Sequence, residues 1–116
     1  MATFSKLPLS GSTNGRQILV AATATAGTLI HTAISGTSSL DEVWMYVVNT
    51  SATGVKLTVE YGGVSVPGDH IELTIPGESW LVLVSPGLVL NNGLVVRAFA
   101  GTTNVLAISG YVNRIS

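Results

Sequence analysis

The sequence predicts an all-β fold: an antiparallel β-sandwich or jelly roll of about eight strands, with an extended N-terminal arm. Short β-rich segments alternate with turns that contain glycine, proline or asparagine, and their spacing is short and even. No segment has helical periodicity, so the crossover helices that a parallel sheet requires are not expected. A chain of 116 residues is long enough for one domain with its own core.

The turn-rich segment Ser10–Gly15 divides the chain into a predicted arm, residues 1–15, and a predicted single sandwich domain, residues 16–116. Turns within the domain are expected at Pro67–Asp69, Pro86–Gly87 and Asn91–Gly93. Between such turns the expected strands are, in order, Gln17–Ala22, Thr28–Ile34, Glu42–Val48, Val55–Tyr61, Ile71–Ile75, Trp80–Val84, Leu94–Ala100 and Val105–Val112.

Two kinds of strand can be distinguished by their patterning. Val55–Tyr61 alternates apolar and polar residues, which predicts a wet face that carries Lys56, Thr58 and Glu60. Glu72 and Thr74 mark the same kind of face in Ile71–Ile75. The strands that contain Trp44, Trp80 and Val95 are instead apolar on both faces, which is typical of central strands or of strands at an interface.

The chain carries few charges: five Lys or Arg and six Asp or Glu, against 47% hydrophobic residues. Soluble domains normally have about a quarter of their residues charged. We therefore expect part of the outer surface to be covered by neighbouring subunits. The candidate residues for this oligomer interface are Trp44, Tyr46, Trp80 and Val95. Trp80 alternates with Val82 and Val84, so a position in the core is its first expectation.

Composition also argues against several classes of partner. The basic residues are scattered rather than clustered, so nucleic acid is not an expected partner. The apolar runs are the length of strands, well below the roughly 18 residues of a membrane helix, so no membrane is expected either. The chain has no cysteine and its start does not resemble a secretory signal, which predicts assembly in a cytoplasm.

No motif in the sequence predicts catalysis, a cofactor, a metal site or a small-molecule substrate. A serine hydrolase would need a nucleophile elbow, and no G-x-S-x-G is present. We expect His31 to be a hydrogen-bonded strand or rim residue, and His70, beside Asp69, to be a solvated turn residue. Asp41 and Glu42 are interpreted as a loop acid and a strand-edge acid. An enzyme would require a pocket that gathers His31 or His70 with an acid.

Five stretches, taken in order, resemble small structural proteins of tailed-bacteriophage virions, and in particular the jelly-roll capsid decoration, or cement, proteins. The stretches are Phe4–Arg16, Asp41–Thr50, Ile71–Pro76, Gly93–Ala100 and Ile108–Ile115. Together they extend over nearly the whole chain. The resemblance lies in the general character of the sequence and in the order of the strands, rather than in a sharp motif. Such proteins typically associate as trimers on a capsid lattice and reinforce the joints between major capsid subunits.

The resemblance implies a non-enzymatic protein of the virion surface, a homotrimer that binds the major capsid protein. If the arm is the anchor, its apolar capsid contacts would be Phe4 and Leu7, and its charged contacts Lys6 and Arg16. A tail, neck or head-fibre component is the alternative within the same class. From another class, a carbohydrate-binding module would place Trp44 or Trp80 exposed beside polar side chains.

Overall fold

The computed structural model describes residues 3–116, and it confirms the predicted all-β class. Nine strands form two antiparallel sheets that pack as a β-sandwich, and no described residue lies in a helix. The strands are β1 Phe4–Pro8, β2 Ile18–Leu19, β3 Thr28–Thr32, β4 Leu40–Asn49, β5 Val55–Tyr61, β6 His70–Ile75, β7 Val82–Leu90, β8 Val95–Ala100 and β9 Leu106–Ile115.

The strand pairing has the pattern of a jelly roll. The first sheet has the order β1-β9-β4-β7, with β2 also paired to β9, and the second has the order β3-β8-β5-β6. Strands β2 to β9 therefore pair first with last, as β2 with β9, β3 with β8, β4 with β7 and β5 with β6. A long hairpin that is rolled over itself has this pairing, and β1 extends the first sheet at the edge next to β9.

Hydrophobic side chains from both sheets fill the space between them. Residues on alternate positions of β4 are fully buried, as the period of two in a strand requires. Strands β5 and β8 supply the facing layer from the second sheet. The buried cluster contains Leu9, Ile18, Val20, Ile30, Val43, Met45, Val47, Val55, Leu57, Val59, Ile75, Val96, Ala98, Ala100, Leu106, Ile108 and Val112.

The segment predicted as an arm lies in the first sheet. Phe4–Pro8 pairs with the end of β9, and the backbones of Thr3 and Ser116 exchange hydrogen bonds beyond it. Leu9 is fully buried, and the Gly11 amide donates to the Ile30 carbonyl. Residues 3–15 thus contribute a strand and a core side chain to the sandwich. Met1 and Ala2 of the predicted arm lie outside the described residues.

The predicted turn at Pro86–Gly87 is wrong, because both residues lie inside β7. The register between β4 and β7 shifts between Val43 and Trp44, opposite Leu88 and Pro86, and Gly87 is the extra residue. Its φ of 79° is a conformation that favours glycine. β7 is the last strand of its sheet, where proline is tolerated because its position needs no amide donor.

The wet face predicted for β5 is also wrong at two of its three positions. Lys56 is exposed, but Thr58 and Glu60 are buried. The Glu60 carboxylate accepts hydrogen bonds from the Thr25 hydroxyl and, at 2.7 Å, from the Gly27 amide, so the segment between β2 and β3 lies against this face. A polar side chain is tolerated there because backbone and hydroxyl donors satisfy it.

Candidate interaction surface

The outward side of the first sheet is a broad and largely apolar face. In β4 the residues between the buried ones point outward, and residues directly opposite one another in an antiparallel pair share a face. The register then assigns the whole face, which we call the outer face. It consists of Phe4, Lys6 and Pro8 of β1, Leu19 of β2, Leu40, Glu42, Trp44, Tyr46 and Val48 of β4, Leu83, Pro86 and Val89 of β7, and Ala107, Ser109, Tyr111, Asn113 and Ile115 of β9.

Aromatic side chains brace the middle of the outer face. The rings of Trp44 and Tyr111 stack with centroids 6.2 Å apart and an interplanar angle of 15°. The Lys6 ammonium lies 4.6 Å from the Tyr111 centroid on one side. On the other side Trp44 packs over Gly87, where an added Cβ would come within 3.0 Å of the indole ring. These contacts cross the strands β1, β9, β4 and β7, and they hold a flat surface in place.

The outer face has almost no charge. Lys6 and Glu42 are the only ionisable acidic or basic residues among those assigned to it, and their charges are opposite. The Glu42 carboxylate lies 3.5 Å from the Asn113 side-chain amide. Because the face has so few charges, little hydration free energy is lost when it is covered. Two such faces also repel each other little.

The predicted interface residues are not all brought together. Trp44 and Tyr46 lie on the outer face and are half-buried by their own neighbours. Val95 is half-buried on the opposite side of the sandwich. Its neighbour Val96 points into the core, so Val95 points away from the core, on the outside of the second sheet. Trp80 precedes β7 and is 84% exposed, so its expected place in the core is wrong. The strand that was predicted from Trp80 begins at Val82.

The four candidate capsid contacts lie along one edge of the first sheet and in the loop after β1. Phe4 is 73% exposed, and Lys6 and Arg16 are exposed as well. Leu7 differs, because it pairs with the buried Val112 and packs against the core. Phe4 is therefore the main apolar side chain that this segment presents outward.

His31 belongs to a buried network in the sandwich. Its Nδ1 accepts a hydrogen bond of 3.0 Å from the Ser10 amide, so the proton of the neutral ring lies on Nε2, which donates to Asp41 at 2.8 Å. In a hydrolase triad a serine hydroxyl would contact the ring, whereas the Ser10 hydroxyl accepts from the Thr32 amide. His31 is thus a hydrogen-bonded strand residue. Its hydrogen bonds connect parts of the fold, and they do not orient a nucleophile.

Asp41 is the centre of this network, and its interpretation as a loop acid is wrong. It lies in β4, is fully buried, and accepts two hydrogen bonds from Arg114, at 2.8 and 3.0 Å. The Ile34 amide donates to it as well, at 3.2 Å. One carboxylate therefore ties the end of β9 and the chain after β3 to the start of β4. No sequence motif marked it, because Arg114 lies 73 residues away along the chain.

We expect the network to make the free energy of unfolding depend on acid pH. Burial by itself raises the pKa of Asp41, but hydrogen bonds from Arg114 and His31 outweigh it and hold the pKa below its ordinary value of 3.8. A lowered folded-state pKa stabilises the fold above the unfolded-state pKa, and this stabilisation is lost as the pH falls through the folded-state value. Urea unfolding between pH 6 and pH 2 should therefore show a steeper loss below about pH 4 for the natural chain than for Asp41→Asn.

His70 is buried rather than solvated, contrary to the prediction. Its side chain is 7% exposed, and its ring packs edge-on against Phe99. Its Nε2 lies 3.9 Å from Glu60 and its Nδ1 lies 3.8 Å from Glu72, and neither nitrogen has a hydrogen-bond partner among the described residues. Among residues 3–116 no three His, Asp or Glu side chains are placed so that they could hold a metal ion together.

Comparisons with known proteins identify no relative of this chain. No family model, no curated protein and no solved structure matches the chain. Within the part of the chain that the structure describes, there is no helix long and apolar enough to span a membrane. The outer face of the first sheet is the most extensive apolar surface defined by the strand register.

Proposed function

We propose that this chain is a non-enzymatic structural protein of a tailed-phage virion, a capsid decoration or cement protein that oligomerises and binds the major capsid protein at the surface of the head. One observation carries the structural role: the outer face presents apolar side chains across the strands of a sheet and has two opposite charges, Lys6 and Glu42. The other two parts of the proposal, the location on a phage head and the number of three copies, rest on the resemblance of the sequence to decoration proteins.

The physics of the outer face supports assembly. Burying apolar surface contributes roughly 25 cal/mol per Å². The braced Trp44–Tyr111 pair keeps its conformation, so little side-chain entropy is lost when a partner covers it. Several protomers of one oligomer on a repeating lattice also bind at a high effective concentration, so a modest affinity at each contact is sufficient.

The edge formed by β1 is the proposed contact with the shell. Phe4, Lys6 and Arg16 extend outward there, and an apolar side chain with two cations is suited to a groove with an acidic rim. Leu7 supports this contact from below, because it anchors β1 on the core. A tail, neck or head-fibre protein would use the same surfaces. The location of the chain on the virion distinguishes these alternatives.

One observation favours a second candidate function, a carbohydrate-binding module. Trp80 is 84% exposed and follows the polar residues Glu78 and Ser79, which is the environment that this alternative requires. Titration with glycans would then quench the tryptophan fluorescence, and Trp80→Ala would abolish the change. A decoration protein without glycan binding shows no such quenching.

Co-sedimentation with phage heads tests the proposed function. Heads assembled from the major capsid protein of the same genome should carry the chain into the pellet at a constant ratio. Phe4→Asp should weaken this binding at least tenfold, because it puts a carboxylate into the apolar contact. Val66→Asp is the matched control, since Val66 is 75% exposed in the loop between β5 and β6, and it should bind as the natural chain does. A chain that stays in the supernatant at all concentrations contradicts the proposal.

A further inference from the structure

The chain contains two Asn-Gly pairs, and each forms the centre of a tight turn with an exposed asparagine. The first, Asn14–Gly15, lies between β1 and β2 and has φ angles of 55° and 83°. The second, Asn92–Gly93, lies between β7 and β8 and has φ angles of 58° and 66°. Positive φ at both central residues is typical of type I′ turns. We propose that Asn14 is a site of spontaneous deamidation in the folded chain, whereas Asn92 is protected by the fold.

Deamidation of an Asn-Gly pair needs water and no enzyme. The glycine backbone nitrogen loses its proton to hydroxide and attacks the side-chain carbon Cγ of the asparagine. A bond forms between these two atoms, the bond from Cγ to the side-chain nitrogen breaks, and that nitrogen takes a proton from water and leaves as ammonia. Water then opens the cyclic imide to aspartate or isoaspartate, and nothing is oxidised or reduced. Glycine favours the attack because it has no side chain to hinder the ring closure.

The two pairs differ in how the attacking nitrogen is held. The amide of Gly93 donates a hydrogen bond of 2.9 Å to the Ile34 carbonyl, and the amide of Asn92 donates one of 2.8 Å to the Gly36 carbonyl. A nitrogen held in this way keeps its proton and cannot turn towards Cγ until the turn opens. The Gly15 amide has no acceptor among the described residues, and Gly15 is exposed to the base that would remove its proton.

The first turn also needs to break fewer contacts to open. One backbone hydrogen bond, of 3.0 Å, closes it from the Arg16 amide to the Thr13 carbonyl. The second turn has the equivalent bond from Leu94 to Asn91 and, in addition, the two backbone bonds to the chain after β3. The Asn91 side chain also donates to the Ser39 carbonyl at 3.1 Å. Local opening is more frequent where fewer contacts are lost, so the pair in the first turn is the more reactive one.

Deamidation at Asn14 changes the charge of the chain and leaves the sandwich intact. One further negative charge takes the formal net charge from −1 to −2. The residue lies outside β1 and β2, so no hydrogen bond of the sheet is lost. Aged protein should therefore contain two folded forms, which ion-exchange chromatography separates.

Peptide mapping by mass spectrometry tests the site directly. After incubation of the folded chain at mildly alkaline pH, the peptide with Asn14 should accumulate deamidated product at least tenfold faster than the peptide with Asn92. In urea that unfolds the chain, the two rates should agree within about threefold, because both sites have the same Asn-Gly sequence and no fold protects either of them. Equal rates in the folded chain, or a faster reaction at Asn92, would overturn the proposal.

Two matched substitutions assign the acidic form to one site. Asn14→Gly should abolish the acidic form that accumulates with age, and Asn92→Gly should leave it unchanged. Glycine tolerates the positive φ of both positions, so neither variant strains its turn. An acidic form that still accumulates in Asn14→Gly at the natural rate would contradict the assignment. None of these measurements involves phage heads, so this proposal and the virion function are tested independently.

Discussion

Asp41→Ala is expected to lower the free energy of unfolding by about 3–5 kcal/mol, because removing one partner of a buried ion pair leaves the other partner uncompensated. In this chain the uncompensated charge is that of Arg114, which is partly exposed, and the buried ring of His31 loses the acceptor of its Nε2–H. The Ile34 amide loses an acceptor too. Urea or guanidinium unfolding followed by tryptophan fluorescence measures the change.

The neighbouring acid provides the control for this substitution. Glu42 lies on the outer face, where its one side-chain hydrogen bond within residues 3–116 is a long one from Asn113. We expect Glu42→Ala to change the free energy of unfolding of the dissociated chain by no more than about 0.5 kcal/mol. If Asp41→Ala and Glu42→Ala had equal effects, the buried network would not stabilise the fold in the way described.

Gly110→Ala is the second substitution with a large expected effect, a loss of roughly 3 kcal/mol, since overpacking of this severity forces backbone shifts. Gly110 lies opposite Met45 in the middle of the β4–β9 ladder and has a φ of 153°. A Cβ at this position would lie 1.9 Å from the carbonyl oxygen of Trp44, which is backbone and cannot rotate away. The two central strands would have to separate locally, and Trp44 would move with them.

Gly68→Ala is the matched control, because a Cβ at Gly68 meets no atom of the described residues within 4 Å, apart from those of its two chain neighbours. Its free energy of unfolding should stay within about 0.5 kcal/mol of the natural value. The near-ultraviolet circular dichroism of Gly110→Ala should also change, since the Trp44–Tyr111 stack depends on the spacing of β4 and β9. An unaltered spectrum together with unaltered stability would contradict the close approach of these strands.

The strands that could be predicted are those whose side chains alternate or run apolar between turns. β5 is predicted to the residue, and the fold class follows from the short, even turn spacing together with the lack of helical periodicity. β1 could not be predicted, because it is held by pairing with β9 from the other end of the chain, and no local pattern records that contact. Pro86 and Gly87 resemble a turn locally, and the register of β7 against β4 makes them a bulge instead.

The burial of the polar core residues could not be predicted for a related reason. Glu60 alternates as a solvated residue would, and it is buried because the segment after β2 supplies donors from Thr25 and Gly27. Asp41 likewise depends on Arg114. Of the candidate interface residues, Trp44 and Tyr46 could be placed together from their shared strand, whereas Val95 lies on the other sheet, a placement that the sequence does not encode locally.

The measurement that tests the central claim most directly is the molar mass of the protein in solution, by light scattering over a range of concentrations. The claim is that a neighbouring copy covers the outer face, so the natural chain should have a mass of at least twice 11.9 kDa. Tyr46→Lys should lower that mass, and Val95→Lys, on the opposite side of the sandwich, should leave it unchanged. A natural chain of 11.9 kDa at every concentration, or equal masses for the natural chain and Tyr46→Lys, would contradict the account.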